Sequence, residues 1–235
     1  MLLLTALGKL VGNEKQRIHN KHNEMLGFGG KKMSQARVLN EKELKLLLLY
    51  VNTRKYAARD RAMICMSYYA GMRVGEIAAT KVADVLALDG SIKEELRLTA
   101  AQTKGKRGRV VVLSEKLRKE LHAYLLQRFG ASNAKDLIAV SYSEAMNTAL
   151  FGTQKKRETG FTANGACWHM HMLYKQAGLD GCSSHSGRRS FLTALSAHAV
   201  PLKVMMELAG HRQAQTTMRY VDVTADMKKA AVELL

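Results

Sequence analysis

Apolar residues recur at helical spacing through most of the chain, and one segment breaks that rhythm. "LNEKELKLLLLYV", residues 39–51, opens the regular part, with Asn40 placed to cap a helix and Glu43 three positions on to reach back. A second helix runs from about Ala57 to Ala70 and stops at Gly71, and a short third begins near Val74. Then the period changes to two. "ELRLTAAQTKGKRGRVVVL" alternates at Leu96, Leu98 and Ala100, turns at "KGKRG" and returns through Val110–Leu113, the pattern of a hairpin with a basic tip. Ser114 next caps a helix with Leu117, Leu121, Tyr124 and Leu125 on one face, ended by Gly130. Residues 131–160 read as irregular and carry a basic loop, "TQKKRETG". Helices follow near 163–176 and 186–199, another starts at Pro201 and ends before Gly210, and a terminal one spans 225–235. The fold class expected is mainly α with a small antiparallel β-sheet.

Composition adds a boundary and a partner. The 235 residues suit one domain, or one domain with an appendage, and a break in composition lies near residue 37. Residues 1–37 hold seven Lys or Arg against two Glu, so this N-terminal segment is basic in its own right, a short helix with a glycine link or a solvated tail. The whole chain carries a formal charge of +17. Such an excess repels itself in a compact state and points to nucleic acid or an anionic membrane as partner. The apolar runs "MLLLTAL" and "LKLLLLYV" fall short of the ~20 residues a membrane span needs, and no signal peptide is evident. Cys65, Cys167 and Cys182 are scattered and odd in number, which suits reduced thiols in a cytosol. His169 and His171 in "WHMHML" point away from each other on a helix and have no third ligand in view, so no metal is expected. Trp168 and most of the thirteen Met residues are expected in the core.

A basic chain with a candidate reactive tyrosine raises phosphodiester chemistry. A phenol titrates near pH ~10, so Tyr220 needs help to attack a phosphate. Charge growing on the phosphorus oxygens must meet fixed donors, for which arginine's planar fork is suited. The tyrosine proton must be taken up and the leaving sugar oxygen must be given one, tasks for histidine or lysine. The sequence offers Arg73 in "YYAGMRVGEIA", Lys104 at the hairpin tip, His185 and Arg188 in "SSHSGRRSF", and His211 nine residues before Tyr220. In "SSHSGRRSF", Ser184 is read as a helix cap, and the helix start presents free N–H groups to an anion.

In that order these residues resemble the tyrosine recombinases, or phage integrases, over residues 38–235. "GMRVGEI" is similar to the first-arginine box, "TKGKRGRVVVL" to the lysine hairpin, "HSGRRSFLTAL" to the second box and "LAGHRQAQTTMRYVDV" to the third. The 26-residue step from His185 to His211 and the nine-residue step to Tyr220 also fit. The resemblance implies the recombinase catalytic fold. It makes Tyr220 the nucleophile that forms a 3′-phosphotyrosine link, Arg73 and Arg188 the phosphate clamp, and Lys104 the general acid. His185 would handle the tyrosine proton, His211 would bond a phosphate oxygen, and Glu76 would support the arginines. Lys106, Arg107, Arg109 and Arg189 are candidate contacts to double-stranded DNA, although a solvated face explains them as well. The covalent link stores the bond energy, so no cofactor is implied. A homotetramer on paired DNA sites is implied, with helix 225–235 docking in a neighbour or on its own domain. So are a cytoplasmic, nucleoid-associated location and a place in a mobile element.

Two departures stand out. Gly187 occupies a position usually held by leucine, so packing beneath Arg188 differs. About 37 residues precede the matched part, too few for the helical core-binding domain many members carry, though some short members manage without it. A DNA-binding regulator or decayed integrase that does not cut, or a type IB topoisomerase-like enzyme, are the alternative functions.

Overall fold

Capping and glycine punctuation set most of the elements. In a computed structural model, described for residues 35–103, 105 and 107–233, the chain runs through α1 (Glu41–Asn52), α2 (Ala57–Ala70), α3 (Val74–Ala79) and α4 (Val82–Val85). The strands β1 (Glu95–Leu98) and β2 (Arg109–Val112) follow, then α5 (Glu115–Phe129), α6 (Ala134–Ser141), α7 (Ala163–Gln176), α8 (Ser186–Ala197), α9 (Leu202–Ala209), α10 (Ala214–Met218) and α11 (Ala225–Val232). Contacts divide the chain between Gln35 and Ala36. The basic N-terminal segment before residue 35, with Lys104, Lys106, Leu234 and Leu235, lies outside the described residues.

The Asn40–Glu43 capping box forms as the sequence predicts: Glu43 N–H donates to Asn40 Oδ1 at 2.9 Å, and Asn40 N–H to Glu43 Oε2 at 3.0 Å. Helix α2 is buried nearly all round and packs between α5 and α8, so it forms the spine of the domain. Its buried Met63, Ile64 and Met66 join Leu47, Val51, Leu117, Leu121 and Leu125 in one core. That removal from water is the main stabilising term for such a fold. A second, smaller cluster of Leu192, Met205 and Ala209 gathers Phe191, Leu195, Tyr220 and Val221, and this fastens the segment after α10 onto α8 and α9.

The two strands pair antiparallel, Glu95 opposite Val112 and Leu98 opposite Arg109, with Leu96, Leu98 and Val111 turned inward. The strand pattern stops at Leu98. Ala100–Gln102 is a 3₁₀ turn rather than strand, because the Gln102 side chain accepts from Thr99 N–H at 2.8 Å and donates to Asp84 Oδ2 at 2.7 Å.

Several expectations are corrected. Residues 131–160 are not irregular throughout: α6 forms because Asn133 Oδ1 accepts from Lys135 N–H at 2.8 Å and Leu137 is fully buried. Short helices α4 and α10 also lie where none was expected. Trp168 is half exposed, not core, because α7 buries Ala166, Met170, Leu173 and Tyr174 along its other face. Of the methionines, Met63, Met66, Met72, Met170 and Met205 are buried, whereas Met218 is exposed. No described helix is long and apolar enough to cross a membrane.

Candidate active site

The first arginine is placed by a left-handed glycine. Gly71 ends α2 at φ 58°, and the ring of Phe191 occupies the space a β-carbon would need, 2.4 Å away. Left-handed backbone without a side chain is what glycine supplies at low cost. The chain turns back, and Arg73 becomes the N-cap of α3. Three residues on, the Glu76 carboxylate is almost wholly buried and returns to it. Glu76 Oε2 accepts from Arg73 N–H and Oε1 from Arg73 Nη1, both at 2.9 Å. Arg109, from the start of β2, adds a bond from Nη2 to Oε2 at 2.7 Å. Burial by itself would raise the Glu76 carboxyl, but the Arg109 guanidinium and the Arg73 N–H hold it below its ordinary value. Glu76 is therefore an ionised brace between two cations.

The second arginine comes from the start of α8. The cap there is not Ser184. Ser184 Oγ is buried and lies 3.1 Å from Cys167 Sγ, while Ser183 and Ser186 close the turn and His185 holds the N-cap position. His185 is exposed at the mouth of that helix. Gly187 faces α2, where an added β-carbon would meet Ser67 Oγ at 2.6 Å. The close approach of α8 to α2 thus excludes leucine at this position. Arg188 is 1% exposed. Its Nη1 donates to the Gly71 carbonyl, and its Nη2 donates to the Ala209 carbonyl at 2.6 Å and to His211 Nε2 at 2.8 Å. Its Nε is buried without a hydrogen bond. Burial first, then the neighbouring Arg73 and Arg109, push its pKa down to about 9.

His211 follows Gly210, which ends α9 at φ 64°. Its Nδ1 lies 2.9 Å from Thr217 Oγ1. Burial and the charges of Arg188, Arg73 and Arg109 push its pKa down to about 4, so the ring is neutral. Tyr220 sits just past α10. Its ring lies 5.4 Å from the His211 ring, and the Arg188 guanidinium lies 5.4 Å from its centroid. The tyrosine segment is fixed from α8: Arg189 donates to the Arg219 carbonyl at 3.1 Å and to Asp222 Oδ1, and Thr193 Oγ1 accepts from Asp222 N–H at 3.1 Å.

Arg73, Glu76, Arg188, His211 and Tyr220 thus converge from four separate segments. Arg109 and Arg189, expected at DNA, are turned inward and bonded within the protein, with side chains 9% and 6% exposed. Arg107 is exposed in the connection between the two strands, two residues before β2. Lys104 and Lys106 are outside the described residues. Residues absent from the sequence reading include Thr217, which fixes the histidine, and Thr193 and Asp222, which fix the tyrosine segment. The carbonyls of Gly71 and Ala209 carry no sequence signal, because every residue has one.

The cluster holds three guanidiniums against one carboxylate. The unbalanced charge, the buried donors and a phenol at their edge form a receptor for an oxyanion that a nucleophile can reach.

Comparison with known proteins agrees with this geometry. Residues 37–227 match the sequence model of the phage integrase family. The tyrosine recombinase XerA of Thermococcus kodakarensis is 29% identical over 201 residues, covering 85% of this chain and 63% of the relative. The tyrosine recombinase XerD of Rickettsia bellii is 29% identical over 82% of this chain and 62% of the relative. The chain therefore spans less than two thirds of the length of these relatives. Among solved structures, XerA recombinase superposes with a TM-score of 0.64 at 22% identity, over 84% of this chain and 64% of the other. XerH site-specific recombinase bound to a palindromic difH substrate, a post-cleavage complex, gives 0.61 at 22% identity over 83% and 51%. These likenesses establish the tyrosine recombinase catalytic fold. With a family match over most of its length, and with the arginines, histidine and tyrosine of that match gathered at one place, this chain belongs to the phage integrase family.

Proposed function

We propose that the chain is a site-specific DNA recombinase that cuts and rejoins strands through a phosphotyrosine. The observation that carries this reading is the burial of Arg188 among Arg73, Arg109 and a neutral His211, beside Tyr220. Such a cluster gains stability when a phosphate supplies the missing negative charge, and more as that charge grows during attack.

The Tyr220 oxygen attacks phosphorus, and the bond from phosphorus to the 5′ oxygen breaks. The phenolic proton passes toward His185, exposed at the start of α8. Lys104 supplies a proton to the departing 5′ oxygen. Arg73 and Arg188 hold the phosphate oxygens, and His211 braces the same side. Rejoining is the reverse, with a 5′ hydroxyl as nucleophile, and the phosphotyrosine conserves the energy of the broken bond.

The partner is double-stranded DNA, consistent with the +17 charge. Arg107, Lys106 and the basic 153–160 loop are candidate backbone contacts. Assembly of four copies on paired sites rests on α11, in which no residue is buried, while Val223 and Val232 are largely exposed. An apolar helix end left bare in this way suits docking on a second copy.

The deciding experiment uses a DNA duplex nicked next to the cleavage position, so that the cut fragment diffuses away and the adduct accumulates. The native chain should form a covalent adduct and Tyr220→Phe none. Specific DNA binding without any adduct would favour a regulator. Relaxation of supercoiled DNA without site preference would favour a topoisomerase.

A further inference from the structure

Arg109 was expected at DNA, yet it is bound inside the cluster. It leaves β2 and makes three kinds of contact at once. Nη2 donates to Glu76 Oε2 at 2.7 Å, and Nε lies 3.4 Å from Oε1, so the guanidinium lies along the carboxylate of α3. Nη1 donates to the Leu208 carbonyl at 2.7 Å, in the last turn of α9. Its aliphatic stem fills the space beside Gly210, where a β-carbon would stand 2.5 Å from Arg109 Cδ. The next carbonyl, Ala209, is taken by Arg188. Two arginines thus satisfy consecutive carbonyls at the end of α9, where the helix leaves its acceptors open and favours cations. His211 is the second residue beyond them.

We propose that Arg109 is a positioning residue: by gripping Glu76 and the Leu208 carbonyl together, it fixes the Arg73 turn and the His211 turn relative to each other. This rests on the recombinase reading. Each catalytic turn is short. Arg73 is tied to Glu76, and among the described residues the Glu76 carboxylate reaches β2 and α9 through Arg109, beside a second bridge in which Arg188 joins the Gly71 carbonyl to the Ala209 carbonyl and His211. Without the planar fork, the two turns keep only the Arg188 bridge among the described residues, and the phosphate clamp loosens by a fraction of an ångström. Errors of that size are costly in catalysis but not in binding. For the same reason lysine is expected to substitute only in part. An ammonium is a point charge and cannot bridge a carboxylate and a carbonyl in the same fixed plane.

The test compares Arg109→Met and Arg109→Lys with the native chain by three readouts. Single-turnover cleavage of the nicked duplex should fall at least about tenfold in Arg109→Met, with partial recovery in Arg109→Lys. Affinity for DNA and the slope of log affinity against log salt should stay native. A phosphate contact would instead lower that slope by about one. Nitrogen NMR of labelled histidine, without DNA, should show a single sharp His211 signal in the native chain and a shifted or broadened one in Arg109→Met. Thermal melting verifies folding, and Arg109→Lys keeps a cation beside Glu76 should the Met variant not fold. Native cleavage with an unaltered His211 signal in Arg109→Met overturns the proposal, as does a reduced salt slope. A native chain that forms no adduct sinks the recombinase reading alone, because the histidine signal still reports on Arg109.

Discussion

Arg188 Nη2 lies 2.8 Å from His211 Nε2, and this contact fixes the chemistry of the imidazole. A guanidinium can only donate, so Nε2 accepts. The ring proton is then on Nδ1 and points to Thr217 Oγ1, 2.9 Å away. The histidine is held neutral, in one tautomer, by an arginine on one side and a threonine on the other.

That arrangement gives stability a pH dependence. The pKa of His211 is pushed down to about 4 in the folded chain, from 6.5 for an ordinary histidine. Between those values the unfolded chain binds the extra proton, so stability falls as pH drops through 6.5 and levels off near 4. The contribution at neutral pH is roughly 1–3 kcal/mol. Urea unfolding of native and His211→Asn protein at pH 7 and pH 5 checks it. The native chain should lose more stability over that interval, and equal losses would contradict the assignment.

Gly187 separates this chain from the leucine usual at its position. A β-carbon there meets Ser67 Oγ at 2.6 Å, so Gly187→Leu forces α8 off α2. A loss of about 1–3 kcal/mol is expected, with slower cleavage because Arg188 is the next residue. Ser67→Gly should recover part of the loss when combined with Gly187→Leu. A double-mutant cycle by denaturant titration measures that coupling, and simple additivity would mean the close approach is not the cause.

The resemblance to tyrosine recombinases implies, and we propose, that Lys104 protonates the leaving oxygen. Lys104→Ala should slow cleavage by about 10²–10⁴-fold on ordinary DNA. A substrate with sulfur at the bridging 5′ position expels a thiolate, which leaves without a proton. The variant should then cut that substrate at close to the native rate. Equal impairment on both substrates would assign Lys104 to phosphate binding instead.

Helix α11 contributes no buried residue to its own domain. Ending the chain at Thr224 should leave the melting temperature within a few degrees of native and weaken assembly on DNA. Sedimentation of the protein with paired sites reads the second effect. A large fall in melting temperature would place the helix on its own domain.

The helical boundaries and the glycine stops were legible because they depend on neighbours in sequence. Asn40 and Glu43, Ala57 to Gly71, and Ser114 to Gly130 each carry their own punctuation. The Asn133–Asp136 cap was as local a signal, lost in a stretch that otherwise reads as polar loop. Trp168 misleads because α7 carries apolar residues on more than one face, and only the neighbours select which face is buried.

At the site, sequence alone determined the chemical set: two boxed arginines, a glycine-led histidine and a tyrosine at fixed steps. Composition pointed to a polyanionic partner. Tertiary structure decided which cations serve as scaffold. Arg109 and Arg189 look like surface residues in a basic chain, but a buried carboxylate, an aspartate and backbone carbonyls from distant segments claim them. A side chain's type says what it can bond, and only the packing of remote segments settles what it meets.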